Sequence, residues 1–244
     1  MTTRQRTIRL LGALLLALTP VAASAQADCC TIPFAVSPNP TLPPASPSAS
    51  CVYAGTTEIV DGLPFGTTIQ ITGWFGNFTS VVETFGGGLG GTTSDWQGQF
   101  LLNMTGTGTL LGFNRSIILP LTGIERMEFA ARMFGGTPQT GAARVFYMQG
   151  QVVGDPDFDL LRLTAGDGFG LPSPGTFQAV LAAGNYSISG YFDLWHRIDF
   201  VGSPSGAVAG MSGSTTRQRR FEMCPGGSVS EESSTWSDLK ALYR

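Results

Sequence analysis

Residues 185–201, NYSISGYFDLWHRIDFV, alternate between two kinds of position. Tyr186, Ile188, Gly190, Phe192, Leu194, His196, Ile198 and Phe200 take one face, and Ser187, Ser189, Tyr191, Asp193, Trp195, Arg197 and Asp199 take the other. Side chains of a strand alternate with period two, so this run predicts a strand with one buried and one wet face. It exceeds the usual strand length, and a bend or bulge is expected at Gly190. From about Ala54 to Met223 the rest of the chain shows short apolar runs separated by Gly, Thr, Ser and Asn, the texture of strands joined by turns roughly every ten residues. Helical periodicity is nearly absent. GIERMEFAARMF (123–134) is the one internal helix candidate, with Ile124, Met127, Phe129 and Ala131 fitting neither period cleanly. The predicted class is all-β, an antiparallel β-sandwich or jelly roll.

An internal echo supports this reading. ITGWF (71–75) matches ISGYF (188–192), and TGTLLGF (107–113) matches SGAVAGM (205–211) in the same order. The first copy is longer by about the length of the Gly-rich stretch at 77–95. A duplication would place two related sheets face to face, which suits a sandwich.

Four segments are expected. Residues 1–25 carry a basic start, a short apolar run and Ala23-Ser24-Ala25, the marks of a secretory signal peptide. No later run is long enough for a transmembrane helix, and Cys29 follows Gln26-Ala27-Asp28, which does not suit a lipid anchor. Residues 26–54 form a Pro-rich N-terminal segment, which favours extended chain. Residues 55–224 form the β domain. Residues 225–244 form a flexible linker and a tail, TWSDLKALYR, with a capping-box-like start and a short helical pattern.

Composition narrows the function classes. Charged residues are 13% of the chain and hydrophobic residues 42%, with net charge −3, so the chain folds rather than staying disordered and offers no basic field for nucleic acid. The four cysteines, Cys29, Cys30, Cys51 and Cys224, are an even set in an exported chain and argue for disulfides. Neighbouring cysteines rarely bond each other, so one of Cys29 and Cys30 is expected to reach Cys51 and the other Cys224. Zinc would need paired Cys-x2-Cys or histidine ligands, and neither is present.

Candidate chemistry is sparse. DPDFDLLRLTAGDGFG (155–170) places Asp155, Asp157 and Asp159 at calcium-loop spacing, but Leu160 stands where the loop needs Gly and Gly166 where it needs Glu. A turn entering a strand is the preferred reading, with calcium as the alternative and no other cofactor expected. GGGLGG (86–91) fits a dinucleotide glycine pattern, yet no helix pattern follows it. His196 is the sole histidine and lies on the apolar side of its strand, a position for a hydrogen-bonded core residue. Asp193 and Asp199 are roughly 20 Å apart along one strand, too far for a glycosidase pair. Trp74, Tyr191 and Trp195 are candidate ligand-binding aromatics on the wet face, able to stack on sugars or anchor a protein. Arg217, Arg219 and Arg220 read as a basic strand edge that discourages edge pairing. Four N-x-[ST] sequons, at Asn77, Asn103, Asn114 and Asn185, are no more than a Thr- and Ser-rich chain supplies by chance.

DGLPFGTTIQI, LLNMTGTGTLLGFNRSIILPL, MQGQVVGDPDFDLLRLTAGDGFGLPSPG and RIDFVGSPSGAVAGMSGSTTRQRRFEM resemble a repeated extracellular β-module of secreted proteins from planctomycetes and related environmental bacteria. The resemblance covers most of residues 55–224, and TWSDLKALYR is similar to short C-terminal tags of other exported proteins from such bacteria. It implies a secreted or cell-surface module with room here for one copy, and it carries over no catalytic residue. The expected function is a non-enzymatic structural or adhesion role, with a glycan or cell-surface protein as partner. A carbohydrate-binding module using Trp74, Tyr191 and Trp195 is the first alternative and an extracellular hydrolase the second.

Overall fold

The computed structural model describes residues 30–33, 39–44, 51–121, 123–133 and 135–223. Its strands are β1 (Cys30–Pro33), β2 (Val52–Ile59), β3 (Ile69–Phe85), β4 (Gly90–Gly106), β5 (Asn114–Pro120), β6 (Glu125–Ala130), β7 (Gln139–Val153), β8 (Phe158–Ala165), β9 (Ser173–Ala182), β10 (Asn185–Gly202) and β11 (Ser212–Met223). All pairings are antiparallel, and the chain is the all-β sandwich that the alternation predicts. The ladder β10–β11–β2–β3–β4–β6–β7–β8 returns to β10, so the sheet is folded onto itself as a closed circuit. Closure leaves fewer free edges for other chains to pair with.

Long strands change partners partway along. β10 pairs β9 through Asn185–Ser189 and β8 through His196–Gly202. Gly190 sits at this change, and a Cβ there would lie 2.3 Å from the Thr176 carbonyl oxygen. The predicted bend site is thus a point of close backbone approach that only glycine fits. Tyr186, Ile188, Phe192, Leu194, His196, Ile198 and Phe200 are all buried, as the alternation requires. Beside them lies an aromatic cluster in which Phe75 meets Tyr53 at 5.0 Å, Phe100 and Phe221 at 5.9 Å each, and Phe192 at 6.3 Å. Gly55 and Gly73 make room for it, since a Cβ on either would stand 3.0 Å or less from the Phe221 or Phe100 ring.

Within GIERMEFAARMF, residues Glu125–Ala130 form a strand rather than a helix. β6 directs Glu125, Met127 and Phe129 inward, and its register with β7 shifts between Arg126 and Met127. A carboxyl group in a core position and a bulge hid the period of two. The sheet also begins earlier than residue 55, at β1 and Val52. A disulfide joins Cys30 to Cys51, while residues 1–29 and 224–244, including the expected signal peptide, Cys29, Cys224 and the expected C-terminal helical tail, lie outside the described residues.

The echo is real in its connections. In 107–113 and 205–211 alike, Leu111 or Ala209 donates to the carbonyl of Gly108 or Gly206, and Phe113 or Met211 to that of Leu110 or Val208. Gly112 and Gly210 both take positive φ, and Leu110 and Val208 are both buried. The strand halves do not follow suit. ISGYF lies on the strand that runs straight into its connection, whereas ITGWF lies on β3 and its connection follows β4.

β1 and β11 line the same edge of β10 end to end. Cys30 stands opposite Ile188 and Met223 opposite Gly190, with only Ser189 between. With Cys30 bonded to Cys51, peptide mapping of the unreduced protein is expected to find Cys29 linked to Cys224, the residues adjoining these two ends. Free thiols at both positions would refute it.

Candidate functional site

The aromatic candidates occupy one outer face without forming one site. Tyr191, Glu222, Ala54 and Trp74 are successive cross-strand neighbours on β10, β11, β2 and β3, so Tyr191 and Trp74 are three strands apart, roughly 14 Å. Arg220 lies over the Tyr191 ring, its guanidinium carbon 3.9 Å from the ring centre. Asp193 holds Arg220 in place by accepting from Nε at 2.9 Å and Nη2 at 3.1 Å. One face of Tyr191 is therefore already taken by a cation–π contact. Trp74 is half-buried. Trp195 is 40% exposed and is the most open of the three. Its backbone carbonyl accepts from Ser173 Oγ at 3.2 Å.

The Asp triplet is a turn followed by a strand. Asp155 accepts the Asp157 amide at 2.9 Å, a local turn bond that short Asp side chains favour. Arg115 donates to Asp155 at 2.7 Å and lies 3.3 Å from Asp157. Asp157 also accepts the Ala207 amide at 2.8 Å. Phe158 is fully buried and opens β8, and Asp159 is exposed. The carboxylates of Asp155 and Asp157 are thus tied to Arg115 and to the connection after β10. Among the described residues, no group of three or more His, Cys, Asp or Glu is placed to hold a metal ion.

GGGLGG is the β3–β4 hairpin. Gly86 donates to Gly91, Gly90 to Gly87, and Gly88 to the Glu128 carboxylate at 2.8 Å. Glu128 in turn accepts from Arg144, which also binds Asp167. The glycines are pinned rather than loose, and β4 follows where a dinucleotide site would need a helix.

His196 is a core residue. Its Nδ1 donates to the Leu194 carbonyl at 3.0 Å and its Nε2 accepts from the Thr57 hydroxyl at 2.7 Å. Burial lowers its pKa to about 4, with Arg219 and Arg217 adding to the effect against the Leu194 bond. The imidazole is neutral and inaccessible, as its place on the apolar face suggested.

Above it, β11 and β2 part company. They pair at Phe221–Gly55 and Glu222–Ala54 only, and further along Thr215 Oγ1 accepts the Val60 and Asp61 amides at 3.2 and 2.9 Å. Between these points Arg217 and Arg219 share Glu58 at 3.4 and 3.0 Å. The basic run is therefore not a sheet edge. β11 lies between β10 and β2, and its arginines close a gap in the wall. Sequence reasoning missed Arg115, Glu58 and the pairing of Arg220 because their partners are 27 or more residues away.

A scan of protein-family models, a search of curated proteins and a search of solved structures each return no match to this chain.

Proposed function

We propose that this is an exported, non-enzymatic module that serves a structural or adhesive role at a bacterial cell surface, in keeping with the planctomycete-type modules its sequence blocks resemble. The observation that carries this reading is how the acids are used. Asp95 is bound by Arg126, Asp155 and Asp157 by Arg115, Asp193 by Arg220, Asp199 by Arg162, Glu128 by Arg144, and Glu58 by Arg217 and Arg219. General acid–base work needs a carboxyl group poised beside substrate with a tuned pKa. Carboxylates locked to guanidiniums instead make a rigid, hydrated exterior suited to contact. The Cys30–Cys51 disulfide fits an oxidising compartment.

Expressed in its host with an epitope tag, the protein should be recovered from the medium or the cell surface. Purified, it should not turn over glycoside, ester or peptide substrates. Saturable turnover abolished by one carboxylate substitution would overturn the proposal. The openness of Trp195 favours sugar binding through that ring as the second reading, which requires glycan-array binding that Trp195→Ala abolishes.

A further inference from the structure

The outer face of β2, β3, β4 and β5 is more ordered than the sequence discloses. Cross-strand register places Thr56, Thr72, Asn103 and Ser116 in one row. Gln70, Thr105 and Asn114 fall in the next row, with Glu58 at its β2 end. Ala54, Trp74, Leu101 and Ile118 form the row on the other side. Thr56, Gln70, Thr72, Asn103, Thr105, Asn114 and Ser116 are all exposed. Glu58 is the only charged residue in the three rows, and Arg217 and Arg219 bind it.

The result is a sheet face of hydroxyl and amide groups with a tryptophan and an isoleucine along one border. Exposed sheet faces of soluble proteins ordinarily carry interspersed Lys, Arg, Asp and Glu. A face whose one charge, Glu58, is paired with Arg217 and Arg219 has no net attraction of its own for nucleic acid, anionic lipid or acidic peptide. Its groups have a specific hydrogen-bonding capacity. Hydroxyls both donate and accept, and each amide offers two donors and an acceptor, which matches the mixed donor–acceptor character of sugar hydroxyls. Ser116 Oγ already donates to Asn103 Oδ1 at 2.7 Å, which orients the amide with its NH2 group available. Successive side chains in a row are about 4.8 Å apart, a step that an extended chain of pyranose rings can follow. Trp74, half-buried at the border, offers aromatic surface against which the apolar side of a sugar can rest.

We propose that this face binds a neutral polysaccharide chain lying across the strands, with Thr72 and Asn103 at the centre of the contact. The inference rests on the non-enzymatic surface role and names its partner. It also moves the sugar-binding site away from Tyr191 and Trp195, leaving only Trp74 of the three aromatics picked out from the sequence.

The test is depletion of the full processed chain from solution by insoluble cellulose, chitin, mannan and β-1,3-glucan, with alginate and heparin resins as charged comparisons. At least one neutral polymer should bind the protein. Thr72→Arg and Asn103→Arg should each weaken that binding by about tenfold or more, while Trp195→Ala leaves it unchanged. The double variant Thr72→Ala/Asn103→Ala, which only removes hydrogen bonds, should show the same loss if the arginine variants fold poorly. No binding to any neutral polymer, binding to charged resins alone, or loss only with Trp195→Ala would each overturn the proposal. Release of soluble sugar during the assay would refute the non-enzymatic role and leave the site standing if the variants still lose binding. Native-level attachment to cells with no polymer bound would do the reverse.

Discussion

Between pH 6.5 and 8 the protein should lose about 2 kcal/mol of stability, and Glu125→Gln should abolish that loss. Glu125 faces inward from β6, is 2% exposed, and accepts only the Gln149 amide among its described partners. Burial raises its pKa from the ordinary 4.5 to about 8, against the opposing effect of the Gln149 bond. The folded protein therefore keeps this proton where the unfolded chain has released it. The stability it contributes is complete below pH 4.5 and is lost as pH rises toward 8. His196 acts in the opposite sense. Its pKa falls from 6.5 to about 4 on folding, so its contribution is complete above pH 6.5 and is lost as pH falls toward 4. Each slope is about 1.4 kcal/mol per pH unit, and the two cancel between pH 4.5 and 6.5. Denaturant melts across this range should show a plateau followed by a decline above pH 6.5. In Glu125→Gln the decline should disappear and stability should climb from pH 4.5 to 6.5. A variant whose profile runs parallel to the native one would show that Glu125 does not hold its proton.

Phe75→Ala should cost about 3–5 kcal/mol, the range for deleting a fully buried aromatic ring. Phe75 has no exposed surface and touches Tyr53, Phe78, Phe100, Phe192 and Phe221. These rings come from β2, β3, β4, β10 and β11, so the cavity would open where five strands meet. For a domain of this size the loss corresponds to a fall in Tm of roughly 10 °C. Phe65→Ala, at a fully exposed turn position, is the control and should leave Tm unchanged. A fall below about 1 kcal/mol for Phe75→Ala would mean that the cluster collapses around the missing ring.

The parts of this fold that could be read from sequence are those whose two faces differ in polarity. β10 is the clearest, because every inward position except Gly190 is apolar or the solitary histidine. β6 was illegible because Glu125 points inward and a register shift follows one residue later. Local hydrogen-bonding patterns were also legible, as the matched connections at 107–113 and 205–211 show. The surface was not. Whether Tyr191 is open depends on Arg220, placed beside it by the pairing of Asp193 with Arg220 across β10 and β11. The fate of Asp155 and Asp157 depends on Arg115 and on the loop at Ala207. The hydroxyl and amide rows of β2–β5 exist only through registers between segments that share no sequence pattern. Such placements are set by long-range pairing, which local alternation does not encode.

The meeting of β1 and β11 on one edge of β10 has a mechanical consequence. Under tension on its two ends, the described chain would take the load at Cys30 and Met223, beside the same short stretch of β10. Tension applied there would peel hydrogen bonds one at a time instead of shearing whole ladders together. The Cys30–Cys51 bond lies directly in that path. It would hand the load from the incoming chain to β2 covalently, bypassing the four-residue ladder of β1, which would otherwise be the first to unzip.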